Sequence, residues 1–152
     1  VWFIVINIGS MCGYLSFGMV ADHLGRRPAF SIYWLVAMIA APVFVIYSST
    51  ATLMVIFGFI LGLSMGYFSG YPLYGSELWP TALRCSGMGI IYMGIARMGS
   101  TFGPMVIGMI ADKSSIGTAI VIMASFYIIA VIVIWAMGYE TKGKSLEAIE
   151  TM

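Results

Sequence analysis

Charge is what this sequence has least of. Of its 152 residues, 9% are Asp, Glu, Lys or Arg, 61% are hydrophobic, and the mean hydropathy is +1.02. Soluble domains carry about a quarter charged residues to cover their water-exposed surface. That level is not reached here, so the composition suits a bilayer and excludes a soluble globular domain. Histidine occurs once, as His23, and the two cysteines, Cys12 and Cys85, lie far apart. In or beside apolar runs they read as buried, unpaired thiols rather than a disulfide or metal site. No Asp or Glu falls inside a long apolar run. Intramembrane hydrolysis needs a histidine pair, an aspartate pair or a serine with its base, so the residue inventory speaks against an enzyme. A net charge of +1 gives no basis for nucleic-acid binding. Initiator Met, charged n-region and cleavage site are also absent, so Val1 does not open a signal peptide. The chain begins inside an apolar run and is expected to be a piece of a longer protein.

What is there is length of hydrophobic run. A hydrocarbon core of about 30 Å needs roughly 20 apolar residues as helix. Five segments qualify: Val1–Val20, Ala29–Tyr47, Leu53–Tyr74, Ser86–Ile110 and Ile116–Gly138. They are continuous rather than alternating, which predicts an all-α polytopic bundle, not a barrel. Residues 1–138 form the bundle and 139–152 a tail. Pro28 suits a first helical turn, and the hydroxyls of 48–50 and 114–115 are available as caps. Arg26, Arg27, Arg84, Lys142 and Lys144 fall on one side and only Lys113 on the other. That bias puts the Gly18–Pro28 loop, the Glu77–Arg84 loop and the C-terminus in the cytoplasm of a plasma (inner) membrane protein. Trp2, Tyr47, Trp79 and Trp135 read as interfacial belt residues.

The residues that interrupt these runs are few. Gly58, Gly62, Gly66 and Gly70 line one face of the third span, which predicts tight packing or a sliding surface. Gly99, Gly103 and Pro104 repeat the theme in the fourth span. Arg97 follows Arg84 by about 13 residues, hence roughly 20 Å up the helix and near the midplane. A guanidinium there costs about 2.5–3.5 kcal/mol and must face protein or a wet cavity. Helical spacing puts Gly94, Ser100, Thr101 and Pro104 on its side. An anion site and a structural hydrogen bond are both open to it. Asn7, Ser10 and Tyr14, like Ser64, Tyr67 and Tyr71, recur at helical spacing, as cavity lining or as helix–helix glue.

The first connection is Gly18-Met-Val-Ala-Asp22-His-Leu-Gly25-Arg26-Arg27-Pro28, about ten residues read as a tight polar hairpin. Its G-x-x-x-D-x-x-G-R-R spacing resembles the signature loop of the major facilitator superfamily of secondary transporters, with His23 where the family usually has Arg or Lys. Two further stretches are similar to the same family. Glu77-Leu-Trp-Pro80-Thr81-Ala-Leu-Arg84 resembles the E-x-x-P-T-x-x-R segment before the eleventh helix. Tyr139-Glu140-Thr141-Lys142-Gly143-Lys144-Ser145-Leu146 resembles the P-E-T-K-G tail after the twelfth, with Tyr139 in place of Pro.

The resemblance implies helices eight to twelve of a twelve-helix transporter and alternating access between two halves. Its partners would be a small-molecule substrate, the lipid bilayer and the missing N-terminal half. No cofactor is implied, and a proton-coupling carboxylate, if used, would lie in that half. Gly18, Asp22, Gly25, Arg26, Arg27, Glu77, Arg84, Glu140 and Lys142 would form a conformational latch of exposed, exchangeable ion pairs, each worth about 0–1 kcal/mol. Asp22 is expected to offer its carboxylate to a helix N-terminus and to the arginines. Arg97-Met-Gly99 looks like the R-x-G of aromatic-acid and organic-anion members. This points to an organic anion bound by Arg97, Asn7, Ser10, Tyr14, Ser64, Tyr67 and Thr101. A sugar or polyol is the alternative, and a non-transporting membrane sensor is the alternative of another class.

Overall fold

The computed structural model describes residues 2–46, 50–79, 82–138 and 140. Residues 47–49, 80–81, 139 and the tail from Thr141 lie outside them, and with them the expectations for Tyr47, Ser48, Ser49, Pro80, Thr81, Tyr139, Lys142 and Lys144. Helices α1 (Trp2–Leu24), α2 (Arg26–Ile46), α3 (Ala51–Ser64), α4 (Tyr67–Leu78), α5 (Arg84–Gly89), α6 (Ala96–Ala111) and α7 (Ile116–Met137) follow in order, with a π-helical segment, Ile90–Ile95, between α5 and α6. Together they supply five apolar stretches long enough to cross a membrane.

The predicted spans need three corrections. The ten-residue hairpin is not a loop: α1 continues to Leu24 and α2 starts at Arg26, so the connection is Gly25 alone, at φ 107°. Asp22 and His23 are polar but still compatible with a helix, and only the glycine takes the left-handed turn readily. Pro28 falls in the first turn of α2, where amides have no intrahelical acceptor. The helices therefore carry Asp22 and Glu77 within their C-terminal ends, which the predicted boundaries excluded.

The third span remains one apolar stretch, Ala51–Leu78, but tightens between α3 and α4. Met65 and Gly66 form a tight turn in which Met65 N–H donates to the Gly62 carbonyl (2.9 Å) and Gly66 N–H to that of Leu63 (3.1 Å). The fourth span changes register through the π segment. Gly87, Gly89 and Gly94 flank or enter it, and each weakens α-helix by about 1 kcal/mol relative to alanine. A uniform count of 3.6 residues per turn from Gly94 to Arg97 therefore fails.

Between helices in lipid there is little hydrophobic drive, so close backbone approach and packing decide association. Gly62 meets the Ile6 carbonyl and Gly66 the Gly13 carbonyl, with no room for a Cβ at either. Gly70 rests against Phe17 and Phe30, while Gly58 is looser. The third-span stripe is thus a packing surface, answered on α1 by Gly9 and Gly13 against the carbonyls of Phe59 and Leu63. Around it Phe17, Phe30, Tyr33, Trp34 and Tyr67 are buried. Phe17 meets Phe30 and Tyr33 edge-on at 5.0 and 5.2 Å. In the fourth span, by contrast, Gly99 and Gly103 have no neighbouring atom within 4 Å of a Cβ among the described residues. Cys12 and Cys85 are unpaired, as expected, but exposed on this chain rather than buried.

Candidate functional site

Charge collects where α1 turns into α2. The Arg26 guanidinium forks onto Glu77 at the end of α4, with Nη2 at 2.7 Å from Oε1 and Nε at 3.2 Å from Oε2. Its Nη1 donates to Asp22 Oδ1 at 2.9 Å and to the Ala21 carbonyl at 3.0 Å. The Arg26 and Glu77 side chains are only 12% and 18% exposed, whereas Asp22 is 70% exposed. The expectation of loose surface pairs is therefore corrected for Arg26–Glu77. That pair is bidentate and mostly shielded, and losing one partner would strand the other charge.

Asp22 does not take the helix-end position expected of it. Glu140 does: its Oε1 accepts from the Arg26 N–H (2.9 Å) and its Oε2 from the Arg27 N–H (3.2 Å). The first amides of α2 would otherwise be orphaned, and a carboxylate there also meets the positive end of the helix dipole. Gly25 makes space for it, since a Cβ would lie 2.9 Å from Glu140 Oε2.

Arg27 completes an exchange of helix ends. Its Nη2 donates to the carbonyls of Trp135, at 3.0 Å, and Gly138, at the end of α7. Its guanidinium lies 5.7 Å from the Trp135 ring centroid. Trp135 Nε1 donates to Ser31 Oγ (2.8 Å), and Ser31 Oγ donates to the Arg27 carbonyl (2.9 Å). Thus a cation from α2 serves the carbonyl end of α7, and a carboxylate beyond α7 serves the amide end of α2. Trp135 is more than a belt residue, as is Trp79, whose ring packs on Gly87. Two further latch residues are not brought in: among the described residues Arg84 Nε is buried without a hydrogen-bond partner, and Gly18 has nothing within 4 Å of a Cβ.

The predicted substrate residues fall into two groups. Ser10 and Ser64 are buried among α1 and α3 and donate to their own helices, Ser10 to Ile6 and Asn7 carbonyls at 3.0 Å, Ser64 to Leu61 at 2.6 Å. Tyr67 is also buried, its hydroxyl 2.9 Å from that of Tyr127 on α7. Asn7 and Tyr14 are exposed on α1, and the Asn7 amide donates to the Phe3 carbonyl at 2.7 Å. Arg97 and Thr101 are exposed on α6, which packs on α7. Arg97 has no ion-pair partner among the described residues.

Sequence reasoning missed a crevice of about 550 Å³ between α2, α4 and α7, floored by Phe30 and Trp34 and walled by Tyr71, Tyr74 and Ile134. None of the seven predicted substrate residues lines it. Its signal is the pair Tyr71 and Tyr74, of which only Tyr71 falls in the hydrogen-bonding stripe read from the sequence.

Residues 2–151 match the description of the Major Facilitator Superfamily. A putative metabolite transport protein of Haemophilus influenzae is 33% identical over 149 residues, covering 96% of this chain and 36% of that protein. A cis,cis-muconate transport protein of Acinetobacter baylyi is 35% identical over 120 residues, 77% of this chain and 28% of that one. The minor myo-inositol transporter of Bacillus subtilis is 26% identical over 150 residues, 97% and 33% respectively. The chain thus spans about a third of the length of the curated relatives it matches.

Proposed function

Since this chain belongs to the Major Facilitator Superfamily, we propose that the protein containing it is a carrier, not an enzyme, which moves a small organic anion by alternating access. The observation that carries the anion reading is Arg97, an exposed guanidinium within a membrane-spanning stretch, unpaired among the described residues. Such a group is expensive in hydrocarbon unless something anionic or wet meets it. A carboxylate would take two parallel N–H donors from it, an aromatic or small acid being the fitting class. The muconate transport protein among the relatives favours an organic acid.

Arg26, Glu77, Asp22, Glu140 and Arg27 are assigned to a cytoplasmic latch that holds α1, α2, α4 and the end of α7 together in one state of the cycle. The orientation rests on the positive-charge bias and is tested by cysteine labelling. Cysteines near Ser49 and Ser115 should react with impermeant reagents from outside, those near Arg26 and Lys144 only after permeabilisation. The myo-inositol transporter supports a second reading, a sugar or polyol. Uptake by the full-length protein in proteoliposomes decides between them. Transport of carboxylates, lost in Arg97→Ala at normal abundance, supports the first reading. Polyol transport with unchanged affinity in Arg97→Ala supports the second.

A further inference from the structure

The fourth span is held by two different neighbours. Its first part, α5, is fixed on α4. Gly87 lies under the Trp79 ring with no room for a Cβ, and Met88 Sδ sits 2.8 Å from where a Cβ on Gly75 would be. Its second part, α6, packs on α7. Between the two runs the π-helical segment Ile90–Ile95. A turn closed from residue i to i+5 takes in one residue more than an α turn. Plain α-helix would therefore join the two packed parts with one residue fewer. Neither part requires the surplus residue, because each is regular helix on its own neighbour.

The surroundings leave the segment room to change. Gly89 and Gly94 have nothing within 4 Å of a Cβ among the described residues. Ile90 and Tyr92 are exposed, and no described residue of α6 is buried on this chain. If the π turn closes to α while α5 stays on α4, the surplus residue passes into α6. One residue of α-helix is a rotation of about 100° and a rise of about 1.5 Å. Arg97, Thr101, Pro104 and Gly108 form one row along α6, and Met98, Phe102, Met105 and Met109 form the row about 100° round from it. A shift of one residue exchanges the two rows. We propose that Ile90–Ile95 is a register joint, about which α6 turns by one residue against α5, presenting the Arg97 row in one state and the methionine-rich row in the other. The states are discrete, since a helical hydrogen bond closes at either i+4 or i+5. That the turn serves transport rests on the carrier reading, whereas the joint itself does not depend on what Arg97 binds.

The test uses full-length protein in nanodiscs, with Cys12→Ser and Cys85→Ser and nitroxide labels on Ile39→Cys in α2 and Met105→Cys in α6, both exposed positions. Both labels lie within this chain, so a rocking of whole halves leaves their separation unchanged. Pulsed dipolar spectroscopy should give two distances between them, and one between Ile39→Cys and Leu83→Cys beside the start of α5. Deleting Ile90 removes the surplus residue and joins both packed parts by regular helix. That variant should keep the parental melting temperature, show a single distance from position 39 to position 105, and lose uptake. Deleting Met105 should instead lower abundance, because α6 itself holds no surplus. Gly89→Ala with Gly94→Ala favours regular helix without a clash and should raise the share of the turned state at least about threefold. This double variant decides the matter if the Ile90 deletion does not fold. A single distance in the parent overturns the proposal, as do parental uptake by the Ile90 deletion and unchanged shares in the double variant. If the parent shows both distances but transports neither carboxylates nor polyols, the carrier reading falls and the joint stands.

Discussion

Arg26 and Arg97 are the same residue in opposite circumstances. Arg26 sits where three helices and the residue after α7 converge, forked onto Glu77 and touching Asp22, with Glu140 on its backbone. Arg97 stands on α6 with its side chain exposed and unpaired among the described residues. The closed cluster finds most of its partners within this chain, with Arg27 Nε left buried and unpartnered among the described residues. The open face of α6 is complete only with something these spans do not supply, and there ligand binding is to be sought. Burial and partner count thus separate a holding charge from a receiving one.

Breaking the closed cluster should give the largest effect. Glu77→Ala strands the shielded Arg26 guanidinium, and loss of one partner of a shielded pair costs about 3–5 kcal/mol. In full-length protein this should appear as a clear drop in detergent melting temperature and lost transport. A parental melting temperature would mean that Arg26 finds equivalent partners. At the open face, Arg97→Ala should leave the melting temperature nearly unchanged and remove about 2–5 kcal/mol of anion binding. Arg97→Lys keeps the charge without the fork and should retain weak transport. Reduced abundance with normal affinity would instead make Arg97 structural and erase the contrast.

Gly25→Ala is intermediate. It forces a side chain into a left-handed conformation, at roughly 1–2 kcal/mol, and pushes on the Glu140 carboxylate. Glu140→Ala, which removes the obstructing group, should show whether the push matters. If Gly25→Ala costs as much in the Glu140→Ala background as in the parent, only the left-handed turn requires the glycine. The smallest effect on stability is expected from Asp22→Asn, below about 1 kcal/mol for so exposed a pair. Its effect on transport should be large if the acid meets the other half of a full-length carrier. Uptake at the parental rate would remove Asp22 from the latch.

Five long apolar runs made the spans legible, because a bilayer allows few alternatives to helix at that length. Ser115 was legible as a cap, and its hydroxyl does accept from the Thr118 N–H at 3.2 Å. Thr50 precedes α3 without capping it through its side chain. The helix interruptions were not legible. The turn at Met65–Gly66 and the π segment at Ile90–Ile95 involve small shifts of hydrogen-bond register in sequence that is uniformly apolar. Hydropathy is blind to such shifts. At the charged end, the motifs drew attention to Glu140, Arg26 and Arg27 but could not tell which carboxylate would reach the first amides of α2. Asp22 is near in sequence but sits before the turn and points outward, whereas Glu140 arrives from the far end of the chain.

That distance sets an order of events during synthesis. The contact from Glu140 to the Arg26 amide closes 114 residues of chain. At about 5–20 residues per second, a ribosome needs roughly 6–23 s to make that interval. For most of it, once Ile46 has been made, α1 and α2 are available to the membrane while the amides at the start of α2 lack the Glu140 carboxylate. The cap waits for the segment after α7: a chain stopped before residue 140 carries α1 to α7 but leaves the first turn of α2 unsealed.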